Sequence, residues 1–284
     1  IIDIFLPAIP AIAQSFQVNT GEIQITLASL NLGAAIGQIL YGPLAAKMLA
    51  YTFVTGSIMP ILAPIIGGNV TVWWGWEPNF YIIGAIGLLV VLSLWFWLDE
   101  TGTKDHEAIR LGEMGRSFLT LVQSRVFITY AFAGVGPFAG LFAILTALSS
   151  VLIEYMGVSP TVFGYLFSLI MFGNLTASFV AGRLVSSIGG TRLIYAGCTV
   201  CLLSGMVAGS IFWVGNVTPA GIVLPSFGFM IGFGLLIPSA TAGAMAPFPE
   251  MAGHSSSLIG LIQFSAGASA SLLMGLLADG THFP

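Results

Sequence analysis

Apolar stretches of about 20 residues recur along the chain, separated by short polar gaps. They fall at approximately 1–14, 23–43, 48–67, 80–98, 126–150, 161–181, 193–213, 220–246 and 255–278. A helix rises about 1.5 Å per residue, so about 20 apolar residues cross a hydrocarbon core of about 30 Å. Their length, and the lack of apolar–polar alternation within them, predict membrane-spanning helices rather than the strands of a β-barrel. The first run is too short to cross. It predicts either an interfacial segment or a span that the chain enters partway. The polar stretch 99–125 is far longer than the other gaps and leaves four runs before it and five after. The pattern therefore predicts an all-α membrane protein with a helical bundle at 1–98, a linker at 99–125 and a second bundle at 126–284.

Composition excludes a water-soluble alternative. The chain is 57% hydrophobic and 6% charged, against roughly a quarter charged in soluble domains. So much apolar surface needs lipid as its solvent. The charge distribution then sets an orientation. All seven basic residues fall in three gaps: Lys47 in one, Lys104, Arg110, Arg116 and Arg125 in 99–125, and Arg183 and Arg192 in 182–192. The alternate gaps carry Glu22, Glu77 and Glu154 and no basic residue. Basic residues on alternate loops place those loops in the cytoplasm. The chain is therefore expected to be a multi-pass membrane protein with 99–125 cytoplasmic.

Few residues offer chemistry. Asp3 lies in the first apolar run, where a charged group is expensive and is kept for a reason. A proton-exchanging carboxyl and a hydrated acid at the chain start both fit it. Asn31, Gln38, Tyr41, Tyr130, Asn174 and Gln263 interrupt apolar runs, as either cavity-lining groups or hydrogen bonds between helices. Phe132, Phe138 and Phe142 read as lipid-facing or core residues rather than a ligand cage. Cys198 and Cys201 read as small core residues. The pairs Gly33/Gly37, Gly136/Gly140, Gly205/Gly209 and Gly228/Gly232 predict close helix packing. No metal site, cofactor or nucleic-acid partner is expected, and no nucleophile–base cluster argues for an enzyme.

Several segments resemble one family. IDIFLPAIP at 2–10 and GQILYGPLA at 37–45 are similar to parts of the first and second spans of the Bcr/CflA drug-resistance branch of the major facilitator superfamily. Pro60, Ala63, Pro64, Gly67 and Gly68, within MPILAPIIGG, resemble its fifth-span antiporter motif. FYIIGAIGLL followed by LDET resembles its sixth span. Gly42, Pro43 and Leu44 open the family's loop motif, and Gly182, Arg183, Leu184, Gly189 and Arg192 resemble its degenerate second copy. APFPEMAGHSSSLIGLIQFSAGASAS at 246–271 resembles the eleventh span and the loop before it.

The resemblance implies a truncated major facilitator fold, a monomer and a place in the bacterial inner membrane. It implies a proton-coupled antiporter that exports small amphipathic compounds of the chloramphenicol or bicyclomycin type. Within it Asp3 is the proton-coupling candidate, and the bent fifth span seals one face against leak. Transport of another small metabolite, its uptake included, and a transport-inactive fragment are the alternatives. After Ala45 the sequence passes directly into a stretch resembling the entry to span five. Spans three and four, with the family's fourth-span arginine, have no counterpart; half of span one and span twelve are also unmatched. Ala63 replaces a glycine of the motif. Loss of two spans preserves in/out parity, so the chain is expected to insert but not to transport.

Overall fold

Proline and glycine decide where the apolar runs begin and end as helices. In the computed structural model, residues 2–45, 49–97, 111–215 and 217–277 are described. The chain opens with a 3-10 segment, Ile2–Ala8, and continues as α1 (Ile9–Phe16), which Gln17 ends in a left-handed conformation at φ 54°. Then come α2 (Thr20–Ala45), α3 (Leu49–Trp74), α4 (Glu77–Trp97), α5 (Leu111–Gln123), α6 (Arg125–Ala133) and α7 (Val135–Ser149), the last closed by a π turn at Ser150–Tyr155. After it come α8 (Pro160–Ile188), α9 (Gly190–Val214), α10 (Pro219–Met245) and α11 (Ala252–Leu277). The described residues of all nine apolar runs are helical, with no strand among the described residues.

The helix starts follow familiar local chemistry. Ser159 Oγ accepts from the Val162 amide and Thr218 Oγ1 from the Gly221 amide, each with proline at the first helical position. That proline lacks an N–H the helix start would leave unpaired anyway. Gly189 and Gly215, at φ 84° and 73°, end α8 and α9 where an L side chain would be strained. Pro137 can neither donate to the Ala133 carbonyl nor avoid crowding it, which divides α6 from α7 at Gly134.

Five helical stretches among the described residues are long and apolar enough to cross a membrane: Arg125–Tyr155, Pro160–Ile188, Gly190–Val214, Pro219–Met245 and Pro249–Leu277. Two antiparallel contacts join the earlier helices to this set. Along α2 and α11, Gly275 lies against Gly21 and Ile25, and Gly260 against Gln38. Along α3 and α8, Gly68 meets Pro160, Gly164 meets Pro64, and Ser168 Oγ donates to the Ile61 carbonyl. Each helix pair approaches at glycines, because lipid supplies no hydrophobic drive and close backbone packing must hold the pair.

The opening segment packs into the helix assembly. Ile4, Leu6, Ala8 and Ile9 are buried, and Gly67 of α3 abuts the Ile4 carbonyl. The glycine pairs behave unequally. Gly228 and Gly232 seat Ser204 and Cys201 of α9 as expected, whereas no described atom lies within 4 Å of a Cβ placed on Gly33, Gly37, Gly136, Gly205 or Gly209. Gly140 packs on the Phe229 ring. Cys201 is buried against α10, as its core reading required.

The polar stretch 99–125 contains a feature that apolar-run reading passes over, the amphipathic helix α5. Leu121 is buried with Phe127, Leu258 and Ile259, while Leu119 and Val122 on the other side are exposed. The Phe118 ring meets His254 of α11 edge-on at 6.0 Å.

Candidate functional site: a cavity between the halves

The opening segment, α2 and α3 face α7, α8, α10 and α11 across a cavity of about 300 Å³. Asp3 lines it from the opening segment, Asn31 and Leu27 from α2, and Pro60 from α3. Asn174 and Met171 line it from α8, Phe138 and Phe142 from α7, Met230 and Phe233 from α10, and Phe264 from α11. Asp3 is the one ionisable side chain among these, and among the described residues no Lys, Arg or His side chain lines the cavity with it.

The apolar wall is built from rings. Phe138 lies 5.2 Å from Phe233 and 6.0 Å from Phe264, and Phe142 lies 6.1 Å from Phe264, all tilted. These are ordinary separations for interacting aromatics. Gly267 of α11 creates the seat for Phe142, since a Cβ there would overlap the ring. The lipid-or-core reading therefore fits Phe132, which is exposed, while Phe138 and Phe142 line the cavity.

The polar candidates separate in the same way. Asn31 and Asn174 line the cavity. Asn31 is buried and its Nδ2 has no hydrogen-bond partner, whereas Asn174 Oδ1 accepts from Ser178 Oγ at 3.3 Å. Gln38 instead fills the α2–α11 contact at Gly260, and Gln263 is buried beside Gly134 at the α6–α7 break. Tyr130 sits outside the cavity, with its hydroxyl 3.3 Å from Thr191 Oγ1 across a groove between α6 and α9. Gln38, Gln263 and Tyr130 thus pack between helices. The backbone of Tyr41, Gly42, Pro43 and Leu44 continues α2, but their side chains lie outside the described residues, as do Lys47, Lys104 and Arg110.

The antiporter-like segment meets the cavity only through Pro60. Ala63 is buried, and Pro64, Gly67 and Gly68 are locked between the opening segment and α8. The second loop-motif copy is remote. Gly182, Arg183 and Leu184 close α8, and Gly189 joins it to α9, whose first turn carries Arg192. The Arg183 guanidinium lies 4.2 Å over the Phe179 ring. The starts of α6 and α9 share one end of the molecule through Tyr130 and Thr191. The other end holds Glu154, which accepts from Thr20 Oγ1 at 2.6 Å, and the Phe16–Trp76 ring pair beside Glu77.

One polar group went unnoticed in the sequence. Gln24 of α2 is buried and donates to the Thr146 carbonyl at 3.0 Å and to Ser150 Oγ at 2.7 Å. Thr146 Oγ1 in turn shares a hydrogen bond with Ser271 Oγ of α11 at 3.1 Å. This network ties α2 to α7 and α11 beside the cavity.

Residues 45–271 match the profile described as Major Facilitator Superfamily. The chain is similar to the bicyclomycin resistance protein homolog of Haemophilus influenzae, 29% identical over 354 aligned positions that take in 100% of this chain and 87% of the relative. That alignment is longer than the 284 residues here, so the relative carries stretches with no counterpart in this chain. Multidrug resistance protein D of Escherichia coli is 31% identical over 217 residues, covering 76% of this chain and 54% of its own length. A chloramphenicol resistance protein of Pseudomonas aeruginosa is 22% identical over 348 positions, 99% of this chain and 82% of that protein.

Proposed function

The chain belongs to the Major Facilitator Superfamily, and from that premise we propose that its cavity is the binding and proton-exchange site of a drug-efflux antiporter. The ligands are small amphipathic compounds of the kinds named for its relatives, bicyclomycin and chloramphenicol. One observation carries the reading: a single carboxyl, Asp3, faces an aromatic and apolar cavity between two sets of helices. Carriers place substrate and ion sites near the membrane midplane, between bundles that rock about them. In this reading the bundles are 1–98 and 126–284, the linker 99–125 is cytoplasmic, and the protein is a monomer. Asp3 exchanges its proton for ligand as the cavity changes face. The interlocked α3–α8 contact at Pro64, Gly68 and Gly164 keeps one face closed to leak.

The site is retained while part of the rocking machinery is missing. The outer side of α2 exposes Leu30, Leu32 and Ile36, with open space at Gly33 and Gly37. We read that face as the seat of the two spans without counterpart, so this chain holds ligand without completing a transport cycle. Restoring those spans from the Haemophilus influenzae relative gives the test. Chloramphenicol accumulation is measured in cells with and without an uncoupler. Uncoupler-sensitive export that disappears in Asp3→Asn is expected. Uncoupler-sensitive export by Asp3→Asn would remove Asp3 from the coupling role.

A further inference from the structure

We propose that Asn31 is a specificity-determining residue of this cavity, selecting ligands that carry a hydrogen-bond acceptor over isosteres that lack one. The inference rests on reading the cavity as a ligand site. Asn31 stands on α2, is 3% exposed and lines the cavity, and its Nδ2 donor has no partner. Most buried polar groups are paired, and an unpaired one costs about 1–3 kcal/mol. Of the other described unpaired buried groups, on Asn79, Ser149 and Ser255, none lines the cavity. Among the described residues, Asn31 is thus the one cavity-lining residue with an orphaned donor, and a rotation of its side chain brings that donor to a ligand.

The surroundings decide what relieves it. Phe138, Phe142, Phe233 and Phe264 offer ring faces and edges but no acceptor. Asn174 Oδ1 accepts from Ser178, and neither it nor the Asp3 carboxyl nor the Thr146 hydroxyl, which share the cavity, takes a hydrogen from Asn31. A ligand carbonyl that reaches Asn31 while its apolar body rests on the rings satisfies the donor. The methylene analogue of equal shape leaves it unpaired. Sites that hydrogen-bond a ligand group discriminate strongly against analogues without it, because the site's own polar group is then stranded. At about 1.4 kcal/mol per tenfold, relieving this amide corresponds to roughly tenfold preference for the acceptor-bearing ligand.

The test uses the 284-residue chain in lipid nanodiscs, with empty nanodiscs subtracted. Equilibrium dialysis measures radiolabelled propiophenone and propylbenzene, which share a skeleton and differ at the carbonyl. The native chain is expected to bind the ketone about tenfold more tightly. In Asn31→Leu the ratio falls to about one while propylbenzene binds at least as well as before. Asn31→Val, a second apolar side chain of different shape, also loses the preference and guards against a packing effect of leucine. The thermal midpoint of empty Asn31→Leu should hold or rise, because an unpaired donor is gone; a purely structural asparagine would lower it. An unchanged ratio in both variants, with binding still weakened by Phe233→Ala, would overturn the role of Asn31 and leave the cavity reading standing. Binding indifferent to Phe233→Ala, or no binding of either probe, would overturn both.

Discussion

Gly68 and Gly164 form a reciprocal pair across the α3–α8 contact, and alanine at either should force the two helices apart. A Cβ on Gly164 would lie 2.9 Å from the Pro64 carbonyl carbon and 3.2 Å from Ile65 Cα; one on Gly68 would lie 2.9 Å from the Pro160 carbonyl carbon and 3.2 Å from Thr161 Cα. Carbon atoms settle at about 3.5–4.0 Å, so each substitution needs roughly 0.6–1.1 Å of separation. The opposing atoms are backbone and cannot rotate away. Overpacking costs about 1–3 kcal/mol in well-packed cores, and this contact belongs at the upper end. The separation also strains the hydrogen bond from Ser168 to the Ile61 carbonyl. One shift relieves both clashes, so the double variant should cost clearly less than the sum of the singles, a coupling expected of sites in contact. Thermal loss of monodispersity in detergent supplies the assay. Gly33→Ala is the control, because nothing described lies within 4 Å of its Cβ and alanine favours a helix by about 0.5–1 kcal/mol. Midpoints for Gly68→Ala and Gly164→Ala that match or exceed that control, or strictly additive losses, would refute the interlock.

Three further outcomes are expected. Gly267→Ala should push the Phe142 ring into the cavity and weaken chloramphenicol binding severalfold with little effect on helix content; binding at native strength would show that Phe142 is not a wall of the site. Single cysteines at 77 and 110, in a chain with Cys198 and Cys201 replaced, should be labelled and protected respectively by an impermeant thiol reagent on intact cells, and the reverse pattern would invert the orientation. Finally, the 284-residue chain should reach the membrane yet give no chloramphenicol resistance above an empty vector, whereas resistance at matched expression would contradict the missing-span argument.

The helical plan was legible because lipid imposes a single strong signal, continuous apolarity over a fixed thickness. The helices nonetheless outrun the apolar runs: α8 covers Pro160–Ile188 where apolarity covers 161–181. Hydrocarbon ends there but backbone hydrogen bonding does not. The helix α5 escaped notice because an amphipathic turn at a bilayer surface carries as many polar as apolar positions. Gln24 escaped because a polar residue one turn inside a span reads as its boundary. Asp3, Asn31 and Asn174 were visible as polar interruptions, and all three line the cavity. Gln38, Gln263 and Tyr130 gave the same signal and pack between helices, since sequence cannot tell an inward face from a helix–helix face. Phe138 and Phe142 were hidden for a related reason: an apolar cavity wall and a lipid-facing surface use the same residues. Of the glycines that matter, Gly67 and Gly68 stood out through the motif resemblance, but Gly164 is no different in sequence from the open Gly33 and Gly37. Only the crossing of helices distinguishes them.

If ligand and proton compete at Asp3 as proposed, proton release on binding reports it without requiring a transport cycle. By linkage, if a proton weakens ligand binding, ligand must expel the proton to the same degree. Chloramphenicol is titrated into the purified chain in weakly buffered solution with a pH indicator, and bound ligand is counted in parallel. Release approaching one proton per ligand from the native chain, and none from an Asp3→Asn chain that still binds, is the expected result. Equal release from both chains, or binding with no release from the native chain, would contradict it.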